Sequence, residues 1–302
     1  MEILKTPAAY FNDLPGYSFQ EHYCDVGTQH ELMMHYVDYG PTNGPIILML
    51  HGEPSWSYLY RNMINEAAGA GFRVIAPDLI GFGKSDKYAS QDAYTYASHL
   101  RWLTKLLQQL SLSNIHLICQ DWGGLLGLRL VANQPDLFAA VVAANTMLPV
   151  GGHEVPEAFL KWQAYSQSSQ HFDIASIIQG ATHKDMIEEV LAAYNAPFPD
   201  ETYKAGARKF PMLVPTDEND PEAINNKQAW KILASFNKPF LTAFSDNDPI
   251  TRGGEKAFQK LIPGCKGQAH SIIKNGGHFL QEDCSFELIT LAINCFKECK
   301  HG

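Results

Sequence analysis

Ile115-His-Leu-Ile-Cys-Gln-Asp-Trp-Gly-Gly124 is the stretch on which the fold turns. Residues 115–119 are a short apolar run of strand type, interrupted only by His116, and residues 125–133 read as a helix. A strand, an abrupt turn and a helix make the setting of a nucleophile elbow, where one side chain is held up at the end of a buried sheet. The usual G-x-S-x-G is altered, because Cys119 stands at the first glycine position and Asp121 at the nucleophile position. A carboxylate there points to attack on an alkyl carbon through an ester intermediate, rather than to acyl transfer. Taken alone, an Asp ahead of a helix also reads as an N-cap.

The stretches on either side supply the architecture. Tyr17 to Phe19 and Met33 to Tyr39 alternate, which predicts an antiparallel pair of strands. Ile46 to Leu50 and Phe72 to Ala76 are apolar throughout, as strands covered on both faces are. Helices are expected at Leu59–Ala70 and Tyr94–Leu110, and a further strand at Ala139–Ala144. Alternation of strand and helix predicts a mostly parallel sheet with helices on both faces. Residues 149–229 break the pattern with helical stretches, prolines and no buried strand. Alternation resumes with a strand at Pro239–Ser245, a helix at Gly254–Leu261, a strand at Ala269–Ile273 and a helix at Ser285–Lys297. One α/β domain, residues 1–148 and 230–302, is therefore expected to carry a helical insertion at 149–229.

The 302 residues are 45% hydrophobic and 18% charged, enough apolar material for a sizeable core. A net charge of −9 disfavours nucleic acid and anionic membrane as partners. No signal-peptide pattern opens the chain and no apolar run reaches membrane-spanning length, so a cytoplasmic protein is expected. Six cysteines show neither C-x-x-C nor zinc spacing, and no metal or cofactor is expected. Cys295 and Cys299, one helical turn apart, read as reduced thiols.

In open α/β sheets the ligand site lies beyond the carboxyl ends of the strands. Four such ends carry chemistry: His51-Gly-Glu-Pro54, Asp121-Trp122, Asp246-Asn-Asp248 and His278. The chain order of nucleophile, acid and histidine is that of α/β-hydrolases. In that company Asp121 reads as a nucleophile and His278 as a base.

The chain resembles the haloalkane dehalogenases of the α/β-hydrolase superfamily over nearly its whole length. The resemblance is carried by His51-Gly-Glu-Pro-Ser-Trp-Ser-Tyr-Leu-Tyr-Arg61, Cys119-Gln-Asp-Trp-Gly-Gly124, Ser245-Asp-Asn-Asp-Pro249 and Gly276-Gly-His-Phe-Leu-Gln-Glu282. Phe159-Leu-Lys-Trp162 and Arg208-Lys-Phe-Pro211 add to it in the insertion, where such enzymes carry a helical cap. It implies hydrolysis of a small halogenated alkane by water to a primary alcohol and halide ion, by an enzyme expected to be a monomer. Asp121 would displace halide, and His278, held by an acid, would activate the water that hydrolyses the ester. Asp246 and Asp248 both follow the right strand. The family pattern selects Asp248, and Asn145 stands where a related subfamily keeps its acid. Backbone N–H groups of Glu53 and Trp122 would form the oxyanion hole, and the indoles of Trp122 and Trp162 would hold the halide. Phe159, Phe210, Pro211, Val214 and Ile250 are expected to line an apolar pocket.

The rival reading is an epoxide hydrolase, which shares the aspartate nucleophile but protonates its leaving alkoxide, usually from two cap tyrosines. Tyr165, Tyr194 and Tyr203 supply candidates. Glu53, where those enzymes usually carry an aromatic residue, and Trp162 argue against it.

Overall fold

The computed structural model describes residues 2–298; Cys299 lies outside them. A two-stranded ribbon pairs β1 (Ile3–Leu4) with β6 (Lys87–Tyr88). The main sheet has eight strands: β2 (His22–Asp25), β3 (Met33–Tyr39), β4 (Ile46–Leu50), β5 (Arg73–Pro77), β7 (Ile115–Gln120), β8 (Phe138–Ala144), β9 (Phe240–Ser245) and β10 (Ser271–Ile273). Their spatial order is β10-β9-β8-β7-β4-β5-β3-β2. All neighbours from β5 to β10 are parallel, and β2 and β3 add an antiparallel edge.

Parallel neighbours need crossovers. These are α1 (Arg61–Gly69), α2 (Tyr96–Gln109) and α3 (Trp122–Asn133), and later α9 (Glu255–Leu261); α10 (Leu280–Glu298) follows the last strand. Between β8 and β9 lie α4 (Glu157–Ser168), α5 (Ile174–Gly180), α6 (Glu188–Asn195), α7 (Ala205–Lys209) and α8 (Pro221–Leu233), with no strand. Helix α8 straddles the expected boundary at 229/230. It packs on α3, where Arg129 bonds Glu222 at 2.9 Å and Asn226 at 2.8 Å.

The N-terminal pair is displaced from its expected place. Met33–Tyr39 pairs with His22–Asp25, and Tyr17 to Phe19 form no strand. Alternation there has another cause: the Tyr17 ring is buried against Trp56 and Tyr58, and its hydroxyl meets the Ser57 hydroxyl at 2.6 Å.

The chain steps from β4 outward to β5 and then back across β4 to β7. This reversal leaves a crevice at the carboxyl ends of β4 and β7. The loop after β4 carries Glu53 and the loop after β7 carries Asp121, so the topology puts them side by side. Close approach of α3 to the sheet depends on Gly123, where a Cβ would be driven into the carbonyl of Leu50. Gly123→Ala is expected to lower stability by about 1–3 kcal/mol or more, read from urea denaturation. Unchanged stability would mean that α3 does not need this approach.

Candidate active site

Asp121 joins β7 to α3 with φ 51° and ψ −127°, and its side chain makes no capping hydrogen bond. Asp121 thus holds the N-cap position without capping the helix through its side chain. Positive φ at a non-glycine residue is strained, and such strain gathers at functional sites. The backbone holds it from three sides. The Asp121 N–H donates to the Asn145 carbonyl at 3.0 Å. Its own carbonyl accepts from Gly124 N–H at 2.8 Å and from the Thr146 hydroxyl at 2.7 Å. The side chain thus faces away from the helix. Its Oδ1 accepts from the Glu53 N–H at 2.7 Å, and its Oδ2 lies 3.4 Å from His278 Nε2.

His278 Nδ1 meets Asp248 Oδ2 at 3.0 Å. Asp248 also accepts from Ile250 N–H at 2.9 Å, Thr251 N–H at 3.3 Å and the Thr251 hydroxyl. Burial would raise its pKa, but His278 and these donors outweigh burial and hold it down at about 2. Burial would likewise depress His278. The Asp248 charge, the hydrogen bonds to Asp121 and Asp248, and the Asp121 charge together push it up instead. Asp246 points elsewhere, toward the exposed amine of Lys274 at 3.7 Å. Asn145 does not touch the imidazole; its amide donates to the carbonyls of Gly277 (2.9 Å) and His278 (3.0 Å).

Glu53 is buried, and its Oε1 has no hydrogen-bond partner. Burial pushes its carboxyl well above the usual range and the Asp121 charge adds to this; His278 and a hydrogen bond from Trp162 pull only partly back. Trp122 opens α3, so its N–H has no partner within the helix.

A cavity of about 400 Å³ joins these groups. Asp121, His278, Glu53, Trp122, Phe159, Trp162, Pro211, Val214 and Ile250 all line it. Phe210 does not. It lies behind the wall, with its ring 4.4 Å from that of Trp122. A helical turn carries Phe210 and Pro211 to different faces, and apolar character alone does not say which one meets the cavity. Leu125, Met147, Ile177 and Phe279 also line the cavity and were missed, being indistinguishable in sequence from core residues. Gln120 was missed too; its amide donates to the His278 carbonyl at 3.1 Å and lies 3.2 Å from Nε2. Its position beside the elbow aspartate was the available signal. Trp56, Trp102 and Trp230 do not line the cavity, in keeping with packing roles.

A hydrolase-type sheet with an aspartate at its elbow and a His–Asp pair opposite defines the class, and a family model for the alpha/beta hydrolase fold matches residues 45–284. The chain is 55% identical over 285 residues to a haloalkane dehalogenase of Psychrobacter cryohalolentis, covering 94% of each. It is 46% identical to one of Mycolicibacterium paratuberculosis, covering 95% of this chain and 96% of the relative. A tetrameric haloalkane dehalogenase from Paraglaciecola agarilytica superposes with a TM-score of 0.91 at 32% identity, covering 97% of this chain and 98% of the other. The chain belongs to the haloalkane dehalogenases.

Among the described residues no helix is long and apolar enough to cross a membrane, and no cluster of three or more His, Cys, Asp or Glu could hold a metal ion.

The state of Glu53 has a sign that can be tested. Its folded pKa lies above the ordinary 4.5, so the folded protein keeps a proton that the unfolded chain releases. The stability this carboxyl contributes is full below that value and is lost as pH rises through the folded pKa. Glu53→Gln cannot titrate. Its melting temperature relative to the parent is expected to climb from pH 4.5 to pH 8; a constant difference across that range would show that Glu53 is ionised in the fold.

Proposed function

We propose that this chain converts small haloalkanes and water to a primary alcohol and halide through an ester on Asp121. The observation that carries the reading is the pose of Asp121: Oδ1 on the Glu53 N–H, and Oδ2 turned toward the cavity and His278. Oδ2 attacks the halogen-bearing carbon in line, the carbon–halogen bond breaks, and the halide leaves with the bonding pair. Halides are weak bases and need no proton; the indole N–H groups of Trp122 and Trp162 stabilise the ion in an apolar cavity. The same cavity leaves the attacking carboxylate poorly hydrated and more nucleophilic.

Alkylation neutralises Asp121. One of the two negative charges that favour imidazolium at His278 is then gone, so His278 becomes available as a base when the ester exists. It takes a proton from water, and the hydroxide adds to the ester carbon. The oxyanion forms at Oδ1, where the Glu53 and Trp122 N–H groups stabilise it. Collapse expels the alcohol, which takes a proton from His278, and Asp121 returns as carboxylate with one proton released to solvent. Asp248 keeps the imidazole oriented throughout. Residues of α4, α5 and the 211–214 turn act as a cap over the strand ends.

The epoxide reading finds less support. Tyr165 alone of the three cap tyrosines lines the cavity, and the Tyr194 hydroxyl is bonded to Glu282. Bromide release from 1,2-dibromoethane, with styrene oxide assayed in parallel, separates the two. Diol formation without halide release would sink the proposal. His278→Gln is expected to trap the ester, seen as a mass increase of the protein after substrate; no adduct would exclude covalent catalysis. Trp162→Phe is expected to weaken bromide binding about tenfold by loss of one donor to an ion. Titration of tryptophan fluorescence measures it, and an unchanged affinity would remove Trp162 from the halide site.

A further inference from the structure

Asp283 has no role in the reaction above, yet it is 2% exposed and its carboxylate is fully engaged by backbone. It sits in the first turn of α10, directly before the non-helical Cys284 (φ −138°, ψ 36°). One oxygen accepts from Gly277 N–H at 2.7 Å, next to His278. The two oxygens share His183 N–H at 2.9 and 3.0 Å, and one also takes Lys184 N–H at 2.8 Å. The Lys184 amine donates to the Asp283 carbonyl.

These donors come from two segments far apart in sequence. Gly277 belongs to the loop that presents His278, while residues 181–184 follow α5, whose Ser176 and Ile177 wall the cavity. The segments also touch directly. Phe279 N–H donates to the Ala181 carbonyl at 3.3 Å, and a Cβ on Gly277 would be driven into that same oxygen. On the far side, the Asn145 amide and the Ser245 hydroxyl hold the Gly277 carbonyl at 2.9 and 2.8 Å. The histidine loop is thus fixed to the sheet by its carbonyls, and to the helical insertion by the Gly277 N–H through a carboxylate and by the Phe279 N–H directly.

We propose that Asp283 is a positioning residue: its buried carboxylate locks the His278 loop to the segment after α5, so that the base is in place only while the insertion is seated. The inference rests on the reading of His278 as the base for ester hydrolysis. A charged acceptor holding three N–H groups is stronger and stiffer than a neutral one. Asparagine at 283 offers one carbonyl oxygen and turns an N–H against a donor. Alkylation by Asp121 does not use His278, so loosening its loop falls on the second step alone.

The test is a rapid-quench single turnover of Asp283→Asn with 1,2-dibromoethane, reading bromide and the protein's mass together. The expected result is a first-turnover bromide burst within about twofold of the parent and ester hydrolysis slowed at least about tenfold, so that adduct accumulates. Equal slowing of both steps, or an unchanged ratio between them, would overturn the positioning role. Amide exchange of the unmutated protein gives a second readout independent of the variant's folding. Gly277, His183 and Lys184 are expected to share one protection factor, and independent exchange would count against the lock. His278→Gln keeps the two ideas separate: adduct there with no change of ratio in Asp283→Asn defeats the lock alone, whereas no adduct there defeats the covalent mechanism.

Discussion

Everything in the site is referred to one strained residue. Asp121 sits at φ 51°, where a side chain of its kind costs on the order of 1–3 kcal/mol, and persists only if its surroundings over-determine it. They do so because β7 lies inside the sheet, between β4 and β8. The neighbour on one side sends the Glu53 N–H to the carboxylate. The neighbour on the other sends the Asn145 carbonyl and Thr146 hydroxyl to the main chain. Moving the elbow strand to an edge would remove one of these sets. The reversal of strand order between β5 and β7 is therefore more than a place for a crevice, since it brings donors from two directions onto a single residue.

Burial is common to two acids in this region, Asp248 and Glu53, and its outcome is decided by what each can accept. Asp248 receives the imidazole, a hydroxyl and two N–H groups, and stays ionised. Glu53 has an oxygen without a partner and Asp121 for a neighbour, and its carboxyl is pushed toward the neutral form. Separating the protonation states of neighbouring carboxyls by environment is how one site holds acids in different roles. A second full charge beside Asp121 would compete for His278 and repel the Asp121 carboxylate. The Glu53 backbone N–H contacts the Asp121 carboxylate, and its side chain forms part of the wall.

The fold was legible because buried parallel strands write themselves as unbroken apolar runs, and the polar residues that end them stand out. Glu53, Asp121, Asp248 and His278 all announced themselves in that way. The expected strand at Tyr17 to Phe19 failed because Tyr17 packing on Trp56 and Phe19 packing on Tyr17 and Tyr39 produce the same alternation as a sheet face. The expected boundary at 229/230 falls inside α8, which packs on α3, because nothing in a helix's own sequence names its partner. Asp283 was invisible for a related reason. It works by accepting from backbone groups of distant loops, and backbone groups carry no residue identity. Side chains that meet side chains leave a trace in sequence; those that meet only main chain leave much less.

Phe210 carries that point into the proposed halide site. Expected as a pocket residue, it instead presses on the Trp122 indole from behind, while Tyr96 meets the same indole at 5.2 Å edge-on. Behind Phe210, His99 is stacked at 4.5 Å with neither ring nitrogen bonded among the described residues, and burial lowers its pKa to about 3. It serves as a neutral aromatic plate. Phe210 and Trp162 both belong to the segment between β8 and β9, whereas Trp122 belongs to the elbow. The two indoles proposed to hold the halide therefore depend on one inserted segment in different ways, one residing on it and the other being braced by it. Displacement of that segment would remove the first donor and free the second together. In the proposed reading, affinity for the departing ion is thereby tied to the seating of the helices that line the cavity.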